Sequence, residues 1–99
     1  MIVGVCRITL RLPENSSLKD KRQVVQSVTK RLRNKFNVAV AEVADNDTWQ
    51  IATLGISCVS NDARHAREVL DHVVAFVQQQ RLDAELIESQ IEVSPAFEQ

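Results

Sequence analysis

The side chains able to hold a metal ion are few and badly spaced. His65, Glu68 and His72 fall on one polar stripe at helical spacing. The two histidines would stand about 10 Å apart along a helix axis at 1.5 Å per residue, too far to share an ion. Glu68 and His72 alone supply two ligands, so the stripe reads as a solvated helix face. Asp45-Asn46-Asp47 offers oxygen ligands, but the calcium-loop pattern with its closing Glu does not follow, and the tripeptide reads as a turn. Cys6 and Cys58 are the only cysteines; they sit in apolar segments without CxxC spacing. Buried, reduced thiols are the expectation. No metal and no cofactor is expected.

Covalent and phosphoryl chemistry fares no better. The chain has no P-loop, GxGxxG, GxSxG or HExxH. An acylphosphatase-like enzyme would need a glycine-rich phosphate loop after the first strand, where this chain has Pro13-Glu14-Asn15-Ser16-Ser17. The expectation is a binding protein and not an enzyme, with no identifiable small-molecule ligand.

What the sequence does concentrate is positive charge. Seven of the twelve Lys and Arg residues lie between Lys19 and Lys35, with Asp20 the single acid among them. Residues 1–35 carry nine bases and two acids, whereas residues 36–99 carry three and eleven, a polarity hidden by the net charge of −1. Local field, more than net charge, decides whether an anionic surface is attracted. Projected at 100° per residue, Lys19, Arg22, Lys30 and Arg33 share one stripe with Gln26, beside the apolar side of a helix. Such a stripe matches successive phosphates of a nucleic-acid backbone, and Arg can grip phosphate bidentately. Arg31 and Lys35 add charge elsewhere on the helix. The bland alternatives are a solvated face of good helix formers, complement to the helix C-terminus, or pairing with an acidic neighbour. Lys21 departs from the stripe; its stem is expected to pack on the core and its head to reach water.

The elements that must position these residues follow from periodicity. Ile2, Cys6, Ile8, Leu10 and Leu12 alternate with Val3, Val5, Arg7, Thr9 and Arg11, which is a long strand with one buried side. Ser17 followed by Asp20 resembles a capping box, and the apolar spacing from Leu18 to Phe36 predicts a helix over 18–35. Strands are predicted over 37–44 and 48–59, a second helix after Ser60-Asn61-Asp62, and a last strand over 85–93 with Ile87, Ile91 and Val93 on one face. The order β-α-β-β-α-β folds most simply into a ferredoxin-like α+β sandwich: a four-stranded antiparallel sheet, order 4-1-3-2, with both helices on one face. Residues 1–94 make a single domain, with 95–99 as a loose tail.

On the helix-free face, Val3, Val5, Trp49 and Ile51 are expected to form an apolar area suited to a homodimer or a protein partner. An RNA-recognition motif shares the topology, but the third strand lacks its stacking aromatics. No apolar run approaches the roughly 20 residues that span a bilayer, and the N-terminus lacks signal-peptide features, so no membrane partner and a cytoplasmic location are expected.

The run Ser17-Leu18-Lys19-Asp20-Lys21-Arg22, after a strand ending Leu12-Pro13, resembles the YlxP-like family of small bacterial proteins. Asn34-Lys35-Phe36-Asn37-Val38, Ala41-Glu42-Val43 and Trp49-Gln50 resemble it too, so the likeness covers nearly the whole chain. It implies a ferredoxin-like cytosolic protein without catalytic residues to carry over. It also implies genes neighbouring those of translation and ribosome maturation, which raises RNA or a ribonucleoprotein as the anionic partner.

Overall fold

The computed structural model describes residues 1–80 and 84–97. Six elements run in the expected order: β1 (Ile2–Arg11), α1 (Leu18–Lys35), β2 (Ala39–Ala44), β3 (Ile51–Ser60), α2 (Ala63–Gln79) and β4 (Glu85–Pro95). The sheet order is β2-β3-β1-β4 and every pairing is antiparallel. This is the ferredoxin-like α+β sandwich.

Alternation along β1 puts Cys6, Ile8 and Leu10 under the helices, where they meet Leu54 and Ile56 of β3 and Leu70, Val73 and Val77 of α2. Leucine and isoleucine side chains buried this completely contribute about 1.5–3 kcal/mol each. Gly4 lets α2 approach the sheet: a Cβ there would lie 2.9 Å from Leu70 Cδ1 and 3.1 Å from Cys58 Sγ.

Both helices begin on side-chain caps. Asp62 accepts from Arg64 N–H at 2.9 Å. Ser17 accepts from Asp20 N–H at 3.1 Å, while the Asp20 carboxylate reaches back to Ser16 N–H at 3.1 Å. That is a capping box displaced by one residue. The Ser16 N–H, then the Ser16 hydroxyl, hold the Asp20 carboxyl below its usual range, and the Lys19 charge adds a smaller pull.

Two expectations need correction. The strand β4 runs through Pro95, which pairs with Ile2, and Ala96 N–H donates to Met1 O at 2.8 Å. Proline lacks an N–H but is tolerated on an edge strand, so it does not start a tail at residue 95. Within β4, a register shift opposite Thr9/Leu10 turns Ile87 outward, 51% exposed, and Leu86 packs on the core with Ile91 and Val93 instead. A second shift interrupts β2 at Glu42/Ala44. No helix among the described residues is long and apolar enough to cross a membrane.

Candidate nucleic-acid interface

The core-facing side of α1 is fixed by Val28 and Leu32, both buried. Lys19, Arg22, Lys30 and Arg33 emerge beside it, all exposed, with Gln26 among them. Among the described residues, Lys19, Arg22 and Lys30 form no ion pair and no side-chain hydrogen bond. Arg33 donates through Nη2 to Val40 O of β2 at 3.1 Å. Arg31 and Lys35 are also exposed but turn toward α2: Arg31 Nη1 donates to Gln80 Oε1 at 2.9 Å, and Lys35 Nζ sits 5.6 Å from the Phe76 ring centre. Phe36 packs edge-on against the same ring at 5.7 Å. Among the described residues the six cations therefore divide into three without a partner, Arg33 bonded to β2, and two that dock the helix end. No ion pair joins α1 to α2 among the described residues. A shallow hollow of about 290 Å³ on α1 is lined by Val25, Gln26, Thr29, Lys30, Arg33 and Asn34.

Lys21 does not reach water. It is 2% exposed, its Nζ lies 2.7 Å from Glu42 Oε2, and it donates to Asp45 O. Asp45 takes a left-handed backbone (φ 61°), and its carboxylate accepts from the buried Thr53 hydroxyl at 2.6 Å. Asn15, also buried, donates from Nδ2 to Trp49 O at 3.3 Å, and Leu12 N–H donates to Gln50 O at 2.8 Å. These bonds tie the first turn of α1 to the β2–β3 turn. Lys21 is thus withdrawn from the exposed cations of α1 by Glu42 and the Asp45 carbonyl. Lys21 lies on the same side of the helix as Val28 and Leu32, and Glu42 shares strand parity with buried Val40. A buried-side cation and a buried-side anion were the available signal.

On the helix-free face, the structure separates the four predicted interface residues. Ile51 pairs with Arg11 at one end of the sheet, and Val3 pairs with Val59 at the other. They stand eight residue steps apart along the strand, about 26 Å at 3.3 Å per residue. Arg7, Thr9 and Arg11 lie between, with Arg11 bound to Glu85 at 2.7 Å and Arg7 to Gln90 Oε1. Trp49 precedes β3 in the turn and is 50% exposed. Val5 instead lines a hollow of about 470 Å³ with Ala39, Ala41, Val43, Gly55 and Ser57. Small side chains make its floor: a Cβ on Gly55 would meet Val43 Cγ1 at 2.8 Å.

The other candidates for chemistry stay apart. His65, Glu68 and His72 are exposed on α2, and no group of three or more His, Cys, Asp or Glu comes together among the described residues. Cys6 and Cys58 are buried and free. Burial, with a lesser contribution from the Asp71 charge, pushes the Cys6 thiol up to about 11; burial also raises Cys58.

Residues 3–91 match the family described as "Protein of unknown function (DUF503)". The chain is 34% identical over 76 residues to "Uncharacterized protein YlxP" of Bacillus subtilis (strain 168), a match covering 77% of this chain and 83% of that protein.

Proposed function

This chain belongs to the DUF503 family of proteins of unknown function, and we propose that it is a non-enzymatic cytoplasmic module binding RNA or a ribonucleoprotein through α1. The observation that carries this reading is the stripe itself. Among the described residues, Lys19, Arg22 and Lys30 are exposed without an intramolecular partner, and Arg33 spends one nitrogen on Val40 O. Had the stripe served only to pair with α2 or the sheet, its charges would be consumed as those of Lys21 and Arg11 are. Four phosphate contacts give an affinity that falls with salt, with a log–log slope of roughly −3 to −4. Replacing Lys19, Arg22, Lys30 and Arg33 together by Glu should abolish binding to structured RNA, read by fluorescence anisotropy, and leave the circular dichroism spectrum unchanged. Unaltered affinity would refute the reading.

A second reading has its own observation. The hollow around Val5 and Val43, both about half exposed, suits a protein surface or a second copy of the chain. It is centred on Val5 and Val43 in place of the Trp49 area. If the face self-associates, Val43→Glu lowers the mass seen by analytical ultracentrifugation; a monomer for both proteins excludes that use.

A further inference from the structure

The stripe on α1 is divided along its length. Lys19 and Arg22 lie in the first two turns, Lys30 and Arg33 in the last two, and the midpoints of the two pairs are about 16 Å apart at 1.5 Å per residue. Between them the stripe carries no charge. Gln26 occupies its centre, exposed, with Thr29 half-buried beside it. The hollow on α1 joins these neutral donors to the second cation pair, since Gln26 and Thr29 line it with Lys30 and Arg33. Cations at two ends with amide and hydroxyl groups in the middle suit a ligand whose phosphates run on two sides of a strip of neutral hydrogen-bonding groups.

How far α1 can enter a groove decides which duplex that is. The helix is seated by Val28 and Leu32 and flanked by β2 through the Arg33–Val40 bond and by α2 through Phe36 and Phe76. It can present one face only, and cannot sink into a B-DNA major groove about 8.5 Å deep without carrying its neighbours along. The B-DNA minor groove, about 6 Å wide, is narrower than a helix about 10 Å across. The minor groove of A-form RNA is wide and shallow and displays 2′-hydroxyls between its two phosphate strands. We propose that α1 lies across the minor groove of double-stranded RNA, with Lys19/Arg22 and Lys30/Arg33 on the phosphates of opposite strands and Gln26 and Thr29 on the 2′-hydroxyls. This rests on the RNA-binding reading above and names the form of RNA.

The test compares a blunt RNA duplex of about 20 base pairs, the DNA duplex of the same sequence, and the unpaired RNA strand at one salt concentration. The RNA duplex should bind tightest. Gln26→Ala combined with Thr29→Val should weaken the RNA duplex roughly 3- to 10-fold, the size expected for one or two lost hydrogen bonds, and leave the DNA duplex unchanged. Lys30→Glu should weaken both duplexes. Equal affinity for the RNA and DNA duplexes, or tighter binding of the unpaired strand, would overturn the duplex assignment while leaving backbone binding intact. Absence of binding to all three probes at low salt would overturn both.

Discussion

Lys21 and Glu42 form an ion pair whose two members are unequally buried, and the inequality sets the outcome of removing either one. The Lys21 side chain is 2% exposed and that of Glu42 is 21% exposed. Glu42→Ala leaves a buried ammonium whose remaining hydrogen-bond acceptor is Asp45 O. Breaking a buried pair from one side in this way costs about 3–5 kcal/mol. Lys21→Met conserves the stem's volume and orphans a carboxylate whose Oε2 is buried but whose side chain is partly exposed, so its cost is about 1–3 kcal/mol. At about 4–8 °C per kcal/mol for a domain of this size, Glu42→Ala should lower the Tm by 12 °C or more. The double variant Lys21→Met/Glu42→Ala removes the stranded charge and should be more stable than Glu42→Ala alone, a coupling on the order of 2 kcal/mol. Urea unfolding followed by circular dichroism measures all four proteins. Lys21→Met as costly as Glu42→Ala, or additive single effects, would refute the reasoning.

Gly4→Ala drives a methyl group to 2.9 Å from Leu70 Cδ1 and should cost about 1–3 kcal/mol by overpacking. Gly55→Ala meets Val43 Cγ1 at 2.8 Å, but Val43 is 55% exposed and can turn away, so the change should stay within about 1 kcal/mol; denaturation midpoints of the two variants check the order. The Cys6 thiol, raised from 9.0 to about 11, binds its proton more tightly folded than unfolded. Its contribution to stability is therefore full below pH 9 and is lost as pH rises through about 11. At pH 8 neither cysteine should react with Ellman's reagent before the chain unfolds, and labelling of the native protein at the rate of a free thiol would contradict the burial of both.

Element order and sheet order were legible because each rests on local signals: alternation in Ile2–Arg11, the 3.6-residue spacing from Leu18 to Phe36, and the caps at Ser17 and Asp62. The exposed charge stripe was legible for the same reason, since a helical projection needs no tertiary information. The misses are all non-local. Alternation assigns Val3, Val5 and Ile51 to one face but says nothing of where along that face they stand; the β1–β3 register puts Ile51 and Val3 at opposite ends. A bulge reverses alternation, which is why Ile87 and Leu86 exchange roles. Lys21 looked like a snorkelling side chain because its partner, Glu42, is supplied by a strand 21 residues away in sequence.

The two register shifts fall on β2 and β4, the outer strands of the sheet. An outer strand with an unbroken row of backbone groups is a template for another chain, and bulges and charged side chains spoil it. Here Arg33 occupies the Val40 carbonyl on β2, and β4 carries exposed Glu85, Glu88 and Glu92 along its length. These features disfavour growth of the sheet by strand addition at either edge. A neighbour is better accommodated on a face than on an edge, either the helical layer with its cations or the bare side of the sheet.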